Sequence, residues 1–255
     1  MHTLPSQIPG KRQIPHETAL TLTTIGIITA RGGSKGIPRK NVLPVAGKPL
    51  IAWTVEAALA SGGLSRVILS TDDKEIAEVG RRFGAEVPFV RPAVLAGDDT
   101  SSIAVMEHAL DRLEQDSGLP DYIMLLKPTS PLRTAADINK AITLASERNS
   151  DAVVSVSECS PHPLLARTIR KDGTLEELLR AEDGYQRRQD LPPAYAINGA
   201  IYLNRPGSLR ATRSFIPRGA HAYVMPPERS IDVDTPWELS LADLLLSRKE
   251  KNEDH

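Results

Sequence analysis

Residues Ile25–Asn41 read IGIITARGGSKGIPRKN, a β-branched run that breaks into glycines and cations. Ile25–Thr29 has the composition of a buried strand. The segment Ala30–Asn41, ARGGSKGIPRKN, begins where that strand ends. Gly32, Gly33 and Gly36 allow the backbone to approach a ligand closely and to turn successive N–H groups toward an anion. Arg31, Lys35, Arg39 and Lys40 place four cations within ten residues, in a chain whose formal net charge is −1. The loop reads as a phosphate cradle or, more plainly, as a solvated basic turn. It has neither the G-x-x-x-x-G-K-[ST] nor the G-x-G-x-x-G spacing, so a dinucleotide cofactor is not expected.

Outward from this loop the chain alternates short apolar runs with amphipathic segments. Helices are predicted over Pro49–Ser61, Asp73–Phe83, Thr100–Glu114 and Thr134–Arg148, the last opened by a Thr134/Asp137 capping box. Strands are predicted over Arg66–Ser70, Val87–Val90, Tyr122–Leu126, Ala152–Val156 and Gly199–Leu203. Continuously apolar strands joined by helices predict an α/β fold with a mostly parallel sheet covered on both faces. Ligands of such sheets bind beyond the carboxyl ends of the strands, which puts the loops after Thr29, Ser70, Val90 and Leu126 on one rim. The alternation stops after Ser157, and residues 157–196 are expected to form an arm. Residues 1–22 and 251–255 read as tails, leaving 23–250 as a single domain.

Composition narrows the function. With aromatics at 4% and no net positive charge, a nucleic-acid surface is not expected. No apolar run is long enough to span a bilayer. Cys159 is the one cysteine in 255 residues, which suits a cytoplasmic protein. Any anion site must therefore be built locally.

Two acidic clusters stand out. Asp72-Asp73 closes the second strand, with Asp73 suited to cap the following helix. Asp232-Val233-Asp234 lies in RSIDVDTPWEL, where an extended backbone sends both carboxylates to one side. Two hard oxygen ligands suit Mg²⁺, with substrate oxygens and water completing its shell. Asp234 reads equally well as the N-cap of a helix starting at Pro236. The segments RPAVLAGDDTSS (Arg91–Ser102) and KPTSPLR (Lys127–Arg133) bring hydroxyls and cations to loop–helix junctions, where Ser102 and Thr134 are also ordinary capping residues.

Taken in order, ARGGSKGIPRKN, STDD, RPAVLAGDDTSS, KPTSPLR, RRQDLPPAYAINGAIYL and RSIDVDTPWEL resemble the acylneuraminate cytidylyltransferases, over nearly all of Ile25–Leu245. The resemblance implies a three-layer α/β/α nucleotidyltransferase with a protruding dimerisation arm. It implies transfer of CMP from CTP to a nine-carbon α-keto acid sugar, with Mg²⁺ as cofactor and a homodimer as the working unit. It implies that Arg31, Gly32, Gly33, Ser34, Asn41, Arg91 and Ser102 bind the nucleotide and that Lys40 contacts the transferring phosphate. Lys127, Ser130, Arg188, Asn198 and Tyr202 fall at sugar-side positions, Arg188 reaching into the partner's site. Asp232 and Asp234 match the metal ligands. Two positions depart from the family pattern: Lys127 stands where glutamine is common, and Tyr-Ala-Ile precedes NGAIY where arginine is frequent. Both lie on the sugar side. A cytidylyltransferase for an eight-carbon sugar acid and a non-catalytic nucleotide-sugar binding protein are the competing readings.

Overall fold

A computed structural model of the chain describes residues 22–34, 36–179 and 187–253. Residues 1–21, Lys35, residues 180–186 and residues 254–255, to which the sequence assigns tails, one loop cation and part of the arm, lie outside these. The described strands are β1 (Thr24–Thr29), β2 (Pro44–Val45), β3 (Lys48–Pro49), β4 (Arg66–Ser70), β5 (Tyr122–Leu126), β6 (Ala152–Glu158), β7 (Arg167–Ile169), β8 (Leu175–Glu177), β9 (Tyr195–Asn204) and β10 (His221–Val224). The helices are α1 (Leu50–Ala60), α2 (Lys74–Arg82), α3 (Ser102–Asp116), α4 (Ala135–Glu147), α5 (Pro206–Thr212) and α6 (Pro236–Glu253). The last of these runs through residues 251–253, which the sequence reading places in a tail.

Six strands form the central sheet in the order β10-β6-β9-β5-β1-β4. β1 pairs parallel with both β4 and β5, and β10 pairs parallel with β6. β9 lies antiparallel between β5 and β6. Residues along each central strand alternate between two cores. Ile28, Leu69, Met124 and Leu126 face α1, α2 and α4, whereas Ile27, Ile68, Ile123 and Leu125 face α3 and Leu209 of α5. The sheet is thus apolar on both faces, which is why its strands read as unbroken hydrophobic runs. A third cluster, with Ile37, Leu50, Trp53, Leu132, Val233 and Leu246, packs α6 against the β2–β3 ribbon.

The strand expected at Val87–Val90 does not form. Glu86 makes a single parallel bridge to Ile68, through Leu69 N–H to Glu86 O and Glu86 N–H to Val67 O, both 2.8 Å. Pro88 has no N–H to continue the ladder, and Val90 is exposed. The excursion after β6 is a very long connection between antiparallel neighbours. Glu158 and Tyr195 still pair, and Cys159 N–H donates to Ala194 O at 2.8 Å. Its described part carries the β7–β8 hairpin, whose Ile169 and Leu175 are exposed.

Candidate active site

Four segments surround a cleft of about 530 Å³ at the carboxyl ends of β1, β4 and β5. They are the loop after β1, the Arg91–Ser102 segment, the loop after β5 and the stretch 232–234. The third apolar cluster lies beneath them. It joins Ile37 of the first, Leu132 following the third and Val233 of the fourth. Burying a side chain such as Val233, which has no exposed surface, stabilises by roughly 1.5–3 kcal/mol. With Val233 turned inward, the extended backbone turns Asp232 and Asp234 outward to the cleft. Val233 N–H donates to Thr129 O at 2.7 Å, which docks the acidic stretch on the loop after β5.

Asp234 is not the helix cap. Thr235 and Glu238 cap α6 reciprocally: the Glu238 carboxylate accepts from the Thr235 N–H at 2.7 Å, and the Glu238 N–H donates to the Thr235 hydroxyl at 3.4 Å. The Asp234 carboxylate instead accepts a 2.8 Å hydrogen bond from Lys40, whose ammonium also donates to Val233 O at 2.6 Å. Asp232 is half-buried, and its Oδ1 has no hydrogen-bond partner among the described residues. Burial pushes its carboxyl above the usual carboxylate range and Asp234 adds to this, whereas Thr129, Lys127 and Lys40 oppose it. An orphaned buried carboxylate oxygen beside a second carboxylate is a donor set for a hard cation. These two residues therefore fit Mg²⁺.

The basic loop is held from several sides. Arg39, at φ 58°, pairs with Asp73 (Nη1 to Oδ2, 2.5 Å) and with Glu75. Arg39, foremost, holds the Asp73 carboxyl below its usual range, while Asp73 also caps α2 through the Ile76 N–H at 3.0 Å. Asn41 donates to Arg31 O at 3.1 Å. Gly32 donates its N–H to Asp72 at 3.3 Å, and a Cβ there would stand 2.5 Å from Asp73 Oδ2. At Gly36 a Cβ would stand 2.5 Å from Asp234 O, so that glycine permits the contact between the loop and the acidic stretch.

Of the residues the sequence singles out, Arg31, Ser34, Lys40, Asn41, Arg91, Ser102, Lys127, Asp232 and Asp234 line this one cleft. Arg31 is ion-paired with Asp98 at 2.7 Å. Arg91 is buried, donating to Ser70 Oγ at 3.2 Å and to Ser70 O, and burial lowers its guanidinium to about 10. Ser102 opens α3, while Ser101 is the residue that caps it, accepting from Ala104 N–H at 3.2 Å. Gly32 and Gly33 support the loop without lining the cleft, and Gly33 faces open space.

The sugar-side positions divide. Lys127 lines the cleft, and its ammonium lies 5.6 Å from the half-buried Tyr202 ring. Ser130 is fully buried and does not line it. Asn198 is buried and bonded internally. Its Oδ1 accepts from Ser155 Oγ at 2.5 Å and Ala200 N–H at 3.2 Å, and its Nδ2 donates to Ser230 Oγ at 2.9 Å. These bonds stabilise an irregularity in the β6–β9 pairing at which Gly199 takes φ 76°. Asp232 Oδ2 lies 3.1 Å from where a Gly199 Cβ would be, so Asn198 shapes the wall behind Asp232. Arg188 opens a short turn, Arg188–Asp190, and its side chain lies outside the described residues. Thr129, Pro128, Asp98 and Thr100 also line the cleft and were not singled out as site residues. Their positions inside KPTSPLR and GDDTSS were the available signal.

Comparison with known proteins follows the same segments. Residues 25–234 match the family described as cytidylyltransferase. The N-acylneuraminate cytidylyltransferase of Streptococcus agalactiae serotype V is 38% identical over 213 residues, covering 83% of this chain and 50% of that protein. The chain thus spans about half the length of that relative. The CMP-N,N'-diacetyllegionaminic acid synthase of Legionella pneumophila is 35% identical, covering 87% of this chain and 95% of the relative. The pseudaminic acid cytidylyltransferase of Campylobacter jejuni serotype O:2 is 33% identical, covering 86% and 94%. Among solved structures, a CMP:2-keto-3-deoxy-manno-octonic acid synthetase complexed with CTP superposes with a TM-score of 0.65 at 18% identity, over 89% of this chain and 99% of that one. The 4-diphosphocytidyl-2C-methyl-D-erythritol synthase of Anaerococcus prevotii superposes at 0.62 with 15% identity, over 89% and 100%. At these identities the likeness is one of fold.

Proposed function

The chain belongs to the cytidylyltransferase family, and from that premise we propose that it transfers CMP from CTP to the anomeric hydroxyl of a nine-carbon sialic-type acid. The observation that carries this reading is the meeting of Arg31, Lys40, Asp232 and Asp234 in one cleft at the carboxyl ends of the parallel strands. The names of the relatives, which act on neuraminic, legionaminic and pseudaminic acids, support the substrate class.

In the proposed reaction the sugar hydroxyl attacks the α-phosphorus of CTP. A new sugar O–P bond forms, the bond from the α-phosphorus to the bridging oxygen breaks, and pyrophosphate leaves with the electron pair. Negative charge grows on the phosphoryl oxygens, and fixed cations stabilise it most where water is excluded. Lys40 and Arg31 are the cations assigned to that charge. Arg91 and Ser102 hold the nucleoside end, and the hydroxyl proton passes to one of the two aspartates, directly or through water. Asp232 and Asp234 would hold Mg²⁺, which when bound neutralises phosphate charge as a Lewis acid.

A homodimer and a cytoplasmic setting belong to the same proposal. Ile169, Leu175, Leu178 and Leu179 leave an apolar surface on the arm, of the kind that a second copy covers. Among the described residues no helix is long and apolar enough to cross a membrane.

The test is pyrophosphate release with CTP, Mg²⁺ and a panel of eight- and nine-carbon sugar acids, with ATP, GTP and UTP as controls. CTP-specific release with a nine-carbon acid is expected. Release only with an eight-carbon acid reassigns the substrate, and CTP binding without release points to a non-catalytic protein.

A further inference from the structure

We propose that the Lys127 ammonium is the receptor for the carboxylate of the sugar acid, and so the residue that selects an acid over a neutral sugar. This rests on the cytidylyltransferase reading and adds to it a named recognition contact.

The cations that line the cleft differ in what already engages them. Arg31 is paired with Asp98, Lys40 with Asp234 and Val233 O, and Arg91 with Ser70. Lys127 is the one of these four whose charged group has no hydrogen bond or ion pair among the described residues. Its charge is offset by the nearby Asp232 carboxylate, but its N–H donors are not engaged among the described residues, and a carboxylate within hydrogen-bonding reach would fill them with a charge-assisted bond.

Its position fits a 2-keto acid. Lys127 is the first residue after β5 and leans toward β9, its Nζ 5.6 Å from the Tyr202 ring and 3.7 Å from where a Gly199 Cβ would stand. Asp232 Oδ2 is 3.1 Å from that same point, so the ammonium and the carboxylate share one wall of the cleft. In the ring form of a 2-keto sugar acid, the carboxylate and the anomeric hydroxyl are bonded to the same carbon. A carboxylate held on Lys127 therefore presents the attacking hydroxyl beside Asp232. Gly199 leaves this wall open, since a Cβ there would project into the space between the two groups. The Tyr202 ring adds a weak cation–π contact to the ammonium.

The test compares wild type, Lys127→Gln and Lys127→Met on the nine-carbon acid that the wild-type enzyme turns over and on its C1 methyl ester. The KM for the acid is expected to rise about 10- to 100-fold in both variants, the range for a lost hydrogen bond to a charged group. The KM for CTP should stay within about twofold of wild type on the same grounds. Wild-type preference for acid over ester should fall toward parity in Lys127→Met. Calorimetric CTP binding establishes that the variants are folded. A parallel rise in both KM values, or an acid-over-ester preference that survives Lys127→Met, overturns the assignment of Lys127 while leaving the cytidylyltransferase reading intact. Wild-type enzyme that releases no pyrophosphate with any acid overturns that parent reading and this assignment with it.

Discussion

The Lys40 ammonium is hydrogen-bonded to the Asp234 carboxylate at 2.8 Å, across 194 residues of sequence. The basic loop and the acidic stretch are therefore joined before any substrate arrives. Lys40 is largely buried, whereas Asp234 keeps an exposed side that remains open toward the cleft. The residues to which the proposed reaction assigns phosphate and metal thus restrain each other's rotamers, and that arrangement is partly organised in advance.

Lys40→Met and Asp234→Asn are each expected to lower kcat by about 100- to 1000-fold, the range for removing one preorganised electrostatic contact. The double variant should lose less than the product of the two single effects, because the residues act as a pair. Steady-state kinetics over a Mg²⁺ titration checks both statements. Unchanged turnover of Asp234→Asn at saturating Mg²⁺ would remove Asp234 from the metal site.

Two glycines three residues apart should behave oppositely. Gly36→Ala forces a Cβ onto the backbone oxygen of Asp234 at 2.5 Å, so the loop or the acidic stretch must shift. Displacements of about 1 Å near reacting groups cost on the order of 100-fold in rate. Gly33→Ala meets open space and should change kcat/KM by no more than about twofold, as expected for a surface substitution away from packed groups. Equal effects at both sites would mean that contact with Asp234 is not what Gly36 provides.

The Arg39 side chain ties the loop to the start of α2 through Asp73 and Glu75. Arg39→Ala should raise the KM for CTP about fivefold with kcat little changed, the scale of an exposed ion pair. Arg39→Lys should restore part of the loss. A fall in kcat alone would place Arg39 in the chemistry instead.

Asp137 links α4 to the segment that leads into the acidic stretch. It receives both nitrogens of the Arg229 fork (3.0 and 2.8 Å), the Tyr223 hydroxyl (2.8 Å) and the Thr134 cap (2.9 Å from its N–H). Burial alone would raise its carboxyl, but the Arg229, Thr134 and Tyr223 hydrogen bonds hold it below the ordinary 3.8. A carboxyl depressed by folding contributes stability that is fully present above its unfolded value and is lost as pH falls through its folded value. Asp137→Asn should therefore destabilise by roughly 3 kcal/mol at neutral pH, with a smaller gap from wild type below about pH 4. Urea unfolding of both proteins at pH 7 and pH 3 measures this, and a gap that stays constant would exclude ionised Asp137 as the cause.

Much of the sheet was readable because local pattern and tertiary role coincide. β4 and β5 form over the predicted residues, and the Thr134/Asp137 box and the Asp73 cap depend on neighbours three residues away. The unread parts depend on distant partners. Nothing near Asn198 announces that Ser155, 43 residues earlier, takes its carbonyl. The choice between cap and cleft at Asp234 turns on Thr235 and Glu238 capping α6 while Lys40 approaches from the far end of the chain. The run Val87–Val90 has strand composition, yet Pro88 and the exposure of Val90 stop the pairing after Glu86. The antiparallel placement of β9 was invisible for the same reason, since strand order is a property of the assembled sheet.

That placement has an evolutionary side. Because β6 and β9 are antiparallel neighbours zipped at Glu158–Tyr195, the chain leaves and re-enters the sheet at one spot. Whatever is inserted between Cys159 and Ala194 has only to return to that spot, so it can lengthen, shorten or change sequence without moving β1, β4 or β5. The insertion can therefore vary on its own tether while the cleft stays anchored in the parallel strands.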